Sequence, residues 1–222
     1  MSTVPPLVSV IIPVWDGEAF IEETLQSVFV QTYQPLEIIV VDDGSLDATP
    51  ALVKKYAAVR YLRQENTGAA AARNWGVRHA RGEFIAFLDA DDLWTPDKLE
   101  QQMLVFRNNP KIDIAFCYLR KFYTANIDFQ APAEPGYITS AAVIKAQVFF
   151  DVGPFSTELH AGEFIDWYNR ASEHGCRSFM IAEAALLRRI HENNMGKQKK
   201  SDRRDYMKLV KAALDRRRDA GQ

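Results

Sequence analysis

The sequence predicts an α/β fold with a mostly parallel central sheet flanked by helices, and three observations carry that reading. Short β-branched apolar runs alternate with segments whose apolar residues recur at helical spacing. The apolar runs are nearly continuous, as expected when helices cover both faces of a sheet. Polar clusters at Pro13-Val14-Trp15, Asp42-Asp43 and Asp89-Ala90-Asp91 follow successive strand-like runs. That places them together at the carboxyl edge, where open α/β sheets collect ligands.

Val8 to Pro13 reads as the first strand, and Glu18 to Gln31 follows with Phe20, Ile21, Leu25, Val28 and Phe29 at helical spacing. Glu37 to Val41 is a second strand, stopped by Asp42-Asp43-Gly44-Ser45, and Ser45 or Asp47 can cap a helix over Ala48 to Ala57. Val59 to Arg63 is a third strand. Thr67-Gly68 opens an alanine-rich helix that ends near Ala80 before Gly82. Glu83 to Leu88 is the fourth strand, and Pro96 starts the helix through Phe106. Alternation of this kind requires right-handed crossovers and parallel pairing. Further on, Ile114 to Tyr123 is a strand, Asn126 to Gly136 a loop suited to cover a site, and Thr139 to Phe150 a helix. Asp151 to Phe155 is a loop, Glu163 to His174 a helix closed by Gly175, and Arg177 to Leu187 a returning strand.

Size and charge narrow the function. The 222 residues are 47% hydrophobic and 25% charged, which suits one globular domain with a basic tail. A net charge of −2 argues against nucleic acid as the main partner. Cys117 and Cys176 have no metal-ligand spacing and read as packing residues in a reducing compartment. The start has no basic leader, and its apolar run is far shorter than the ~20 residues of a membrane span. A cytoplasmic location is the expectation, at the inner membrane face if the tail binds lipid. That tail, from Lys197 onward, combines Lys199, Lys200, Arg203, Arg204 and Arg216-Arg217-Arg218 with apolar Tyr206, Leu209, Val210 and Leu214. It reads as an amphipathic helix, either a peripheral membrane anchor or a solvated face offset by its own aspartates.

The chemistry concentrates in FIAFLDADDLWTP. A buried strand ending in Asp89, Asp91 and Asp92 sets charges beside its own core, where isolated carboxylates are driven to protonate. A divalent cation is the simplest partner. Mg²⁺ and Mn²⁺ prefer oxygen ligands, and Mg²⁺ takes one or two carboxylates plus substrate phosphates. This strand end is therefore expected to bring a metal to a phosphorylated substrate.

With those residues in view, the chain resembles the inverting family 2 glycosyltransferases of the GT-A fold, which transfer sugars from nucleotide-diphospho-sugars. The resemblance rests on VSVIIPVWDGEAFIEETLQSVFVQTY, LEIIVVDDGSLDAT and NTGAAAARNWGVRHARGEFIAFLDADDLWTPDKL, which cover residues 8 to 99 in order. EFIDWYNRASEHG and RRIHENN extend it more weakly to about residue 195. It implies a GT-A domain over 1–196, with a nucleotide-sugar half (1–110) and an acceptor half (111–196), before the tail at 197–222. Pro13 and Val14 would line the nucleoside pocket, Glu18 would accept from ribose hydroxyls, and Asp43 would accept an imide N–H, suiting uracil or thymine. Gly68 would let backbone approach the donor, and Arg73 would meet a phosphate or sugar hydroxyl. Asp89-Ala90-Asp91 matches the DXD motif. Asp91 would coordinate Mn²⁺ or Mg²⁺, with Asp89 on ribose or on the metal through water, and Asp92 free to cap the next helix. His191 would complete the metal shell, with Arg188 and Arg189 near the phosphates. Relatives carry a Glu-Asp pair where this chain has Glu163-Phe164, so the base is either Glu163 or Asp166. The acceptor (saccharide, lipid-linked or peptide) is open. Nucleotidyl transfer is a rival, although the acidic Asp16-Gly17-Glu18 replaces the basic phosphate loop it would need. A nucleotide-sugar-binding module with weak catalysis is another, motivated by Phe164.

Overall fold

The computed structural model describes residues 4–123, 131–159 and 161–191, together with Lys211, Arg216 and Arg218. Residues 126–130 of the loop expected at 126–136 and nearly all of the tail expected to be a helix lie outside the described residues, as do Asn193 and Asn194 of RRIHENN. The first half is a regular alternation: β1 (Val8–Val14), α1 (Ile21–Phe29), β2 (Leu36–Asp42), α2 (Thr49–Val53), β3 (Val59–Arg63), α3 (Ala69–His79) and β4 (Phe84–Phe87). Then follow β5 (Leu93–Trp94), α4 (Lys98–Asn108), β6 (Ile114–Tyr123), β7 (Glu134–Pro135), a 3₁₀ turn (Thr139–Ala141), β8 (Ala142–Lys145), α5 (Ala146–Val152), α6 (Glu163–Glu173) and β9 (Ser178–Ile190).

All the described strands join one sheet in the order β3-β2-β1-β4-β8-β6-β9-β5, with β7 on β6. β1 pairs in parallel with β2 and β4, and β2 with β3, as expected. Beyond β4 the long β6–β9 pair is again parallel, so most of the pairing is parallel as expected, but antiparallel strands are added that the sequence reading did not include. β8 runs antiparallel to both β4 and β6, and β5 runs antiparallel to β9. The expected helix at Thr139–Phe150 is the source of this difference. Ala142 to Ile144 lie fully buried between β4 and β6, where backbone pairing on both sides outweighs the helical preference of alanine. Only Ala146 onward forms the helix. α2 also stops earlier than expected, because Thr49 and Val53 alone bury against the core and give a longer helix nothing to rest on. β9 runs past Leu187 to Ile190, shifting register opposite Cys117 to Leu119, and so delivers His191 to the carboxyl edge.

Both faces of the sheet are covered. Val8, Val10, Ile12 and Val14 of β1 face one apolar layer with α1 and α4, while Ile11 faces the other with α3, α5 and α6. The period-2 alternation thus sorts one continuous apolar run into two cores. Gly76 lets α3 press against β1: a Cβ there would lie 2.5 Å from Ile11 Cγ2.

Lys98 is an exception inside this packing. It is fully buried, donates to Gln102 Oε1 at 2.7 Å and lies 4.0 Å from the centre of the Trp94 ring, and burial lowers its pKa to about 8. Between about pH 8 and the ordinary 10.5, the unfolded chain binds this proton more readily than the native state. Stability from this residue therefore rises with pH across that window. Lys98→Met is expected to gain about 1 kcal/mol or more at pH 7, and roughly 2–4 °C in Tm per kcal/mol. That gap should narrow as chemical denaturation is repeated towards pH 10.

Candidate active site

The acidic loop after β4 is held by elements far away in sequence. The Thr24 hydroxyl, on the buried face of α1, donates to the carbonyls of Ala90 (2.9 Å) and Asp92 (3.0 Å). The Arg189 amide on β9 donates to Asp92 Oδ1 at 2.9 Å, and Arg189 Nε donates to the Asp91 carbonyl at 2.8 Å. Arg189 is itself buried, sandwiched between the rings of Phe20 and Phe122, and paired with Glu23. Two expectations change here. Arg189 shapes the acidic loop instead of facing phosphate, and Asp92 ties β9 instead of capping α4.

Charge accumulates at this loop. Burial, then the neighbouring Asp89, raises the Asp91 pKa, while His191 opposes the rise. Burial, then Asp91 and Asp89, pushes Asp92 well above the usual carboxylate range. His191 Nε2 stands 2.9 Å from Asp91 Oδ2, with its ring against Phe20. A carboxylate and an imidazole in contact, beside two further carboxylates that repel each other, fit a divalent cation. Among the described residues no group of three or more His, Cys, Asp or Glu side chains converges as a complete cage. Two protein ligands with further positions left to water and substrate oxygens suit Mg²⁺ or Mn²⁺.

Arg73 is placed differently from the expectation of a phosphate contact. It is 3% exposed and forks between two carboxylates, with Nη2 2.6 Å from Asp89 Oδ1 and Nη1 2.8 Å from Glu163 Oε1. The two carboxylates outweigh burial and hold the guanidinium pKa up. Its Nε is buried and finds no acceptor among the described residues. Asp89 also donates its amide to Ser140 Oγ at 3.1 Å. Arg73 thus joins the acidic loop after β4 to the first residue of α6, which lies 90 residues from it in sequence.

Glu163 opens α6, and Asp166 does not join it. Asp166 is buried and pairs with Arg170 at 3.0 Å and with Arg216 at 3.2 Å. Phe164 is 6% exposed and stacks with Trp167 and Tyr168, edge-on to Phe116. Trp167 is fully buried and Tyr168 partly buried against the same apolar layer. Asn74 is settled as structural: its side chain exchanges two hydrogen bonds with the Phe155 backbone.

The nucleotide side is more ordered than the sequence suggests. Asp43 Oδ1 accepts from Gln64 Nε2 and the Thr67 amide, and Oδ2 accepts from the Gly68 amide at 2.8 Å. Gly68 needs its glycine for a φ of 96°, not for crowding, since nothing lies within 4 Å of where a Cβ would project. The loop after β1 is zipped to the loop after β2. Asp16 accepts from the Leu46 amide, Glu18 accepts from the Ala48 amide, and the Asp16, Gly17 and Glu18 amides donate to Ser45, Thr49 and Asp47. Pro13 and Val14 end β1 as buried residues at this edge, and Trp15 beyond them is 60% exposed.

Residues 9–158 match the family model described as glycosyl transferase family 2. The chain belongs to that family. An uncharacterized glycosyltransferase of Rickettsia typhi is 39% identical over 118 residues, which are 52% of this chain and 37% of that protein. A Bacillus subtilis glycosyltransferase named for teichuronic acid biosynthesis, TuaG, is 43% identical over 109 residues, covering 46% of this chain and 43% of that protein. The match therefore spans less than half the length of these curated relatives. Among solved structures, S. aureus TarS 1-349 in complex with UDP-GlcNAc superposes with a TM-score of 0.79 at 21% identity, over 93% of this chain and 65% of that one. The mannosyltransferase PcManGT from Pyrobaculum calidifontis, in complex with GDP-Man and Mn²⁺, gives 0.71 at 24% identity, over 86% and 59%. These likenesses establish the GT-A fold for this glycosyltransferase.

Family membership makes position 164 a direct test of the packing. Placing an acid there with Phe164→Asp is expected to bury a carboxylate among aromatic rings. It should cost at least the ~3–5 kcal/mol of a Phe→Ala truncation and restore no activity. A urea titration with a parallel donor-turnover assay checks both.

Proposed function

We propose that this chain transfers a sugar from a nucleotide-diphospho-sugar, of which a UDP-sugar is the first candidate, to an acceptor nucleophile with inversion. The observation that carries the reading is the convergence at one sheet edge of Asp91 with His191, and of Asp89 with Arg73 and Glu163. Residues 1–110 bind the donor and 111–196 face the acceptor. Pro13 and Val14 wall the nucleoside pocket, with the exposed indole of Trp15 offering an aromatic face to the base. Asp43 shapes that pocket through the Thr67-Gly68 backbone and keeps a lone pair for an imide N–H. Glu18 uses one oxygen on Ala48 and leaves the other for a ribose hydroxyl. Asp89 and Ala90 border the ribose and diphosphate.

Asp91 and His191 would hold the cation, and a bound Mn²⁺ or Mg²⁺ would supply charge stabilisation for the departing nucleoside diphosphate. Glu163, ionised at the N-terminus of α6, takes the acceptor proton as the nucleophile attacks the anomeric carbon in line. The proton moves to the carboxylate, the new bond forms on the face opposite the leaving group, and the configuration inverts. Asp166 is held by two arginines and is not the base in this reading. No helix among the described residues is long and apolar enough to cross a membrane. Peripheral contact through the basic tail remains part of the proposal, tested by liposome flotation with and without residues 197–222.

Calorimetry with UDP and GDP, with and without Mn²⁺, followed by UDP or GDP release from the matching sugars, tests the reading. Asp91→Ala is expected to abolish the Mn²⁺-dependent part of nucleotide binding. Glu163→Gln is expected to leave donor binding intact and lower turnover by about 100-fold or more. Nucleotide binding unaffected by Mn²⁺ in the wild type, or full turnover in Glu163→Gln, would falsify the respective role.

A further inference from the structure

Arg73 does work that the metal and base assignments leave out. Its guanidinium is buried, it is shared between Asp89 and Glu163 at 2.6 and 2.8 Å, and among the described residues it is the cation paired with Glu163. We infer that Arg73 is the positioning residue for Glu163, fixing where that carboxylate meets the acceptor and linking it to the donor side through Asp89. The inference rests on the proposed function, because it presumes that Glu163 takes the acceptor proton.

The geometry favours positioning over donor binding. A rigid planar fork with both terminal nitrogens committed to carboxylates sets the angle between its two partners, which a lysine point charge does not do. Arg73 reaches this place from the middle of α3, a helix packed tightly on β1 through Gly76, so the fork has a stiff mounting. Glu163 has little else to orient it: as the first residue of α6 it sits just after Gly162, at a φ of 83°, and Phe164 beside it points into the core.

The test is a double-mutant cycle on Arg73→Gln and Glu163→Gln. Donor affinity is read by calorimetry with UDP plus Mn²⁺, and rate is read by UDP or GDP release from a panel of UDP- and GDP-sugars. Arg73→Gln is expected to keep the nucleotide Kd within about threefold while kcat falls by about 100-fold, the pattern of an interaction needed only for the chemical step. The double variant should be no slower than Glu163→Gln alone, because Arg73 acts through Glu163. Arg73→Lys keeps the buried charge but cannot fork. It is expected to show the same split between affinity and rate, and it carries the test if the glutamine variant does not fold. Multiplying losses in the double variant, or a Kd that weakens in step with the rate, would overturn the inference and make Arg73 a donor ligand. Full turnover in Glu163→Gln instead removes the base assignment itself, as does a wild type that releases no nucleotide from any sugar in the panel.

Discussion

Mutual repulsion among the carboxylates at the end of β4 is the constraint around which this structure is arranged. Asp89, Asp91 and Asp92 follow a strand buried from Ile85 to Phe87, and two of them are pushed towards protonation, first by burial and then by neighbouring aspartates. Each has its own counterpart from a different part of the chain: Arg73 from α3, His191 from the end of β9, and the Arg189 amide from β9 itself. Long-range contacts from α1, α3 and β9 converge on this loop. Such an arrangement costs stability locally, and it is retained where the charges are used.

Packing separates the neighbours Glu163 and Phe164. Phe164 belongs to an aromatic layer with Phe116, Phe155, Trp167 and Tyr168, which seats α6 on the sheet. Glu163 precedes that layer and remains on the site side, in contact with Arg73. Phe164 therefore belongs to the core, while one carboxylate stays at the sheet edge.

Much of the fold was legible because its signals are local. β3 and β6 fall on the residues that periodicity marks, and α6 begins at Glu163 as expected. The family phrases carried the fold class to the same place. The Thr139–Phe150 segment was misread because a four-residue apolar run looks alike in a buried helix and a central strand. Arg73 shows why site geometry is harder. From sequence it is an arginine on an alanine-rich helix, and both its partners are fixed by tertiary contacts 16 and 90 residues away. Thr24 left a fainter trace, as a polar residue on the apolar face of α1. That anomaly could have pointed to the carbonyls it holds.

The close seating of α3 on β1 at Gly76 has a consequence beyond packing. Arg73 lies one residue short of a full helical turn before that glycine, so the depth of the glycine's contact sets the height of the guanidinium above the sheet. A single methyl group added there, with no polar atom and no ligand nearby, would lift the helix and carry the arginine with it. The height of this sheet edge is thus set from underneath, by the close contact of α3 with Ile11 of β1.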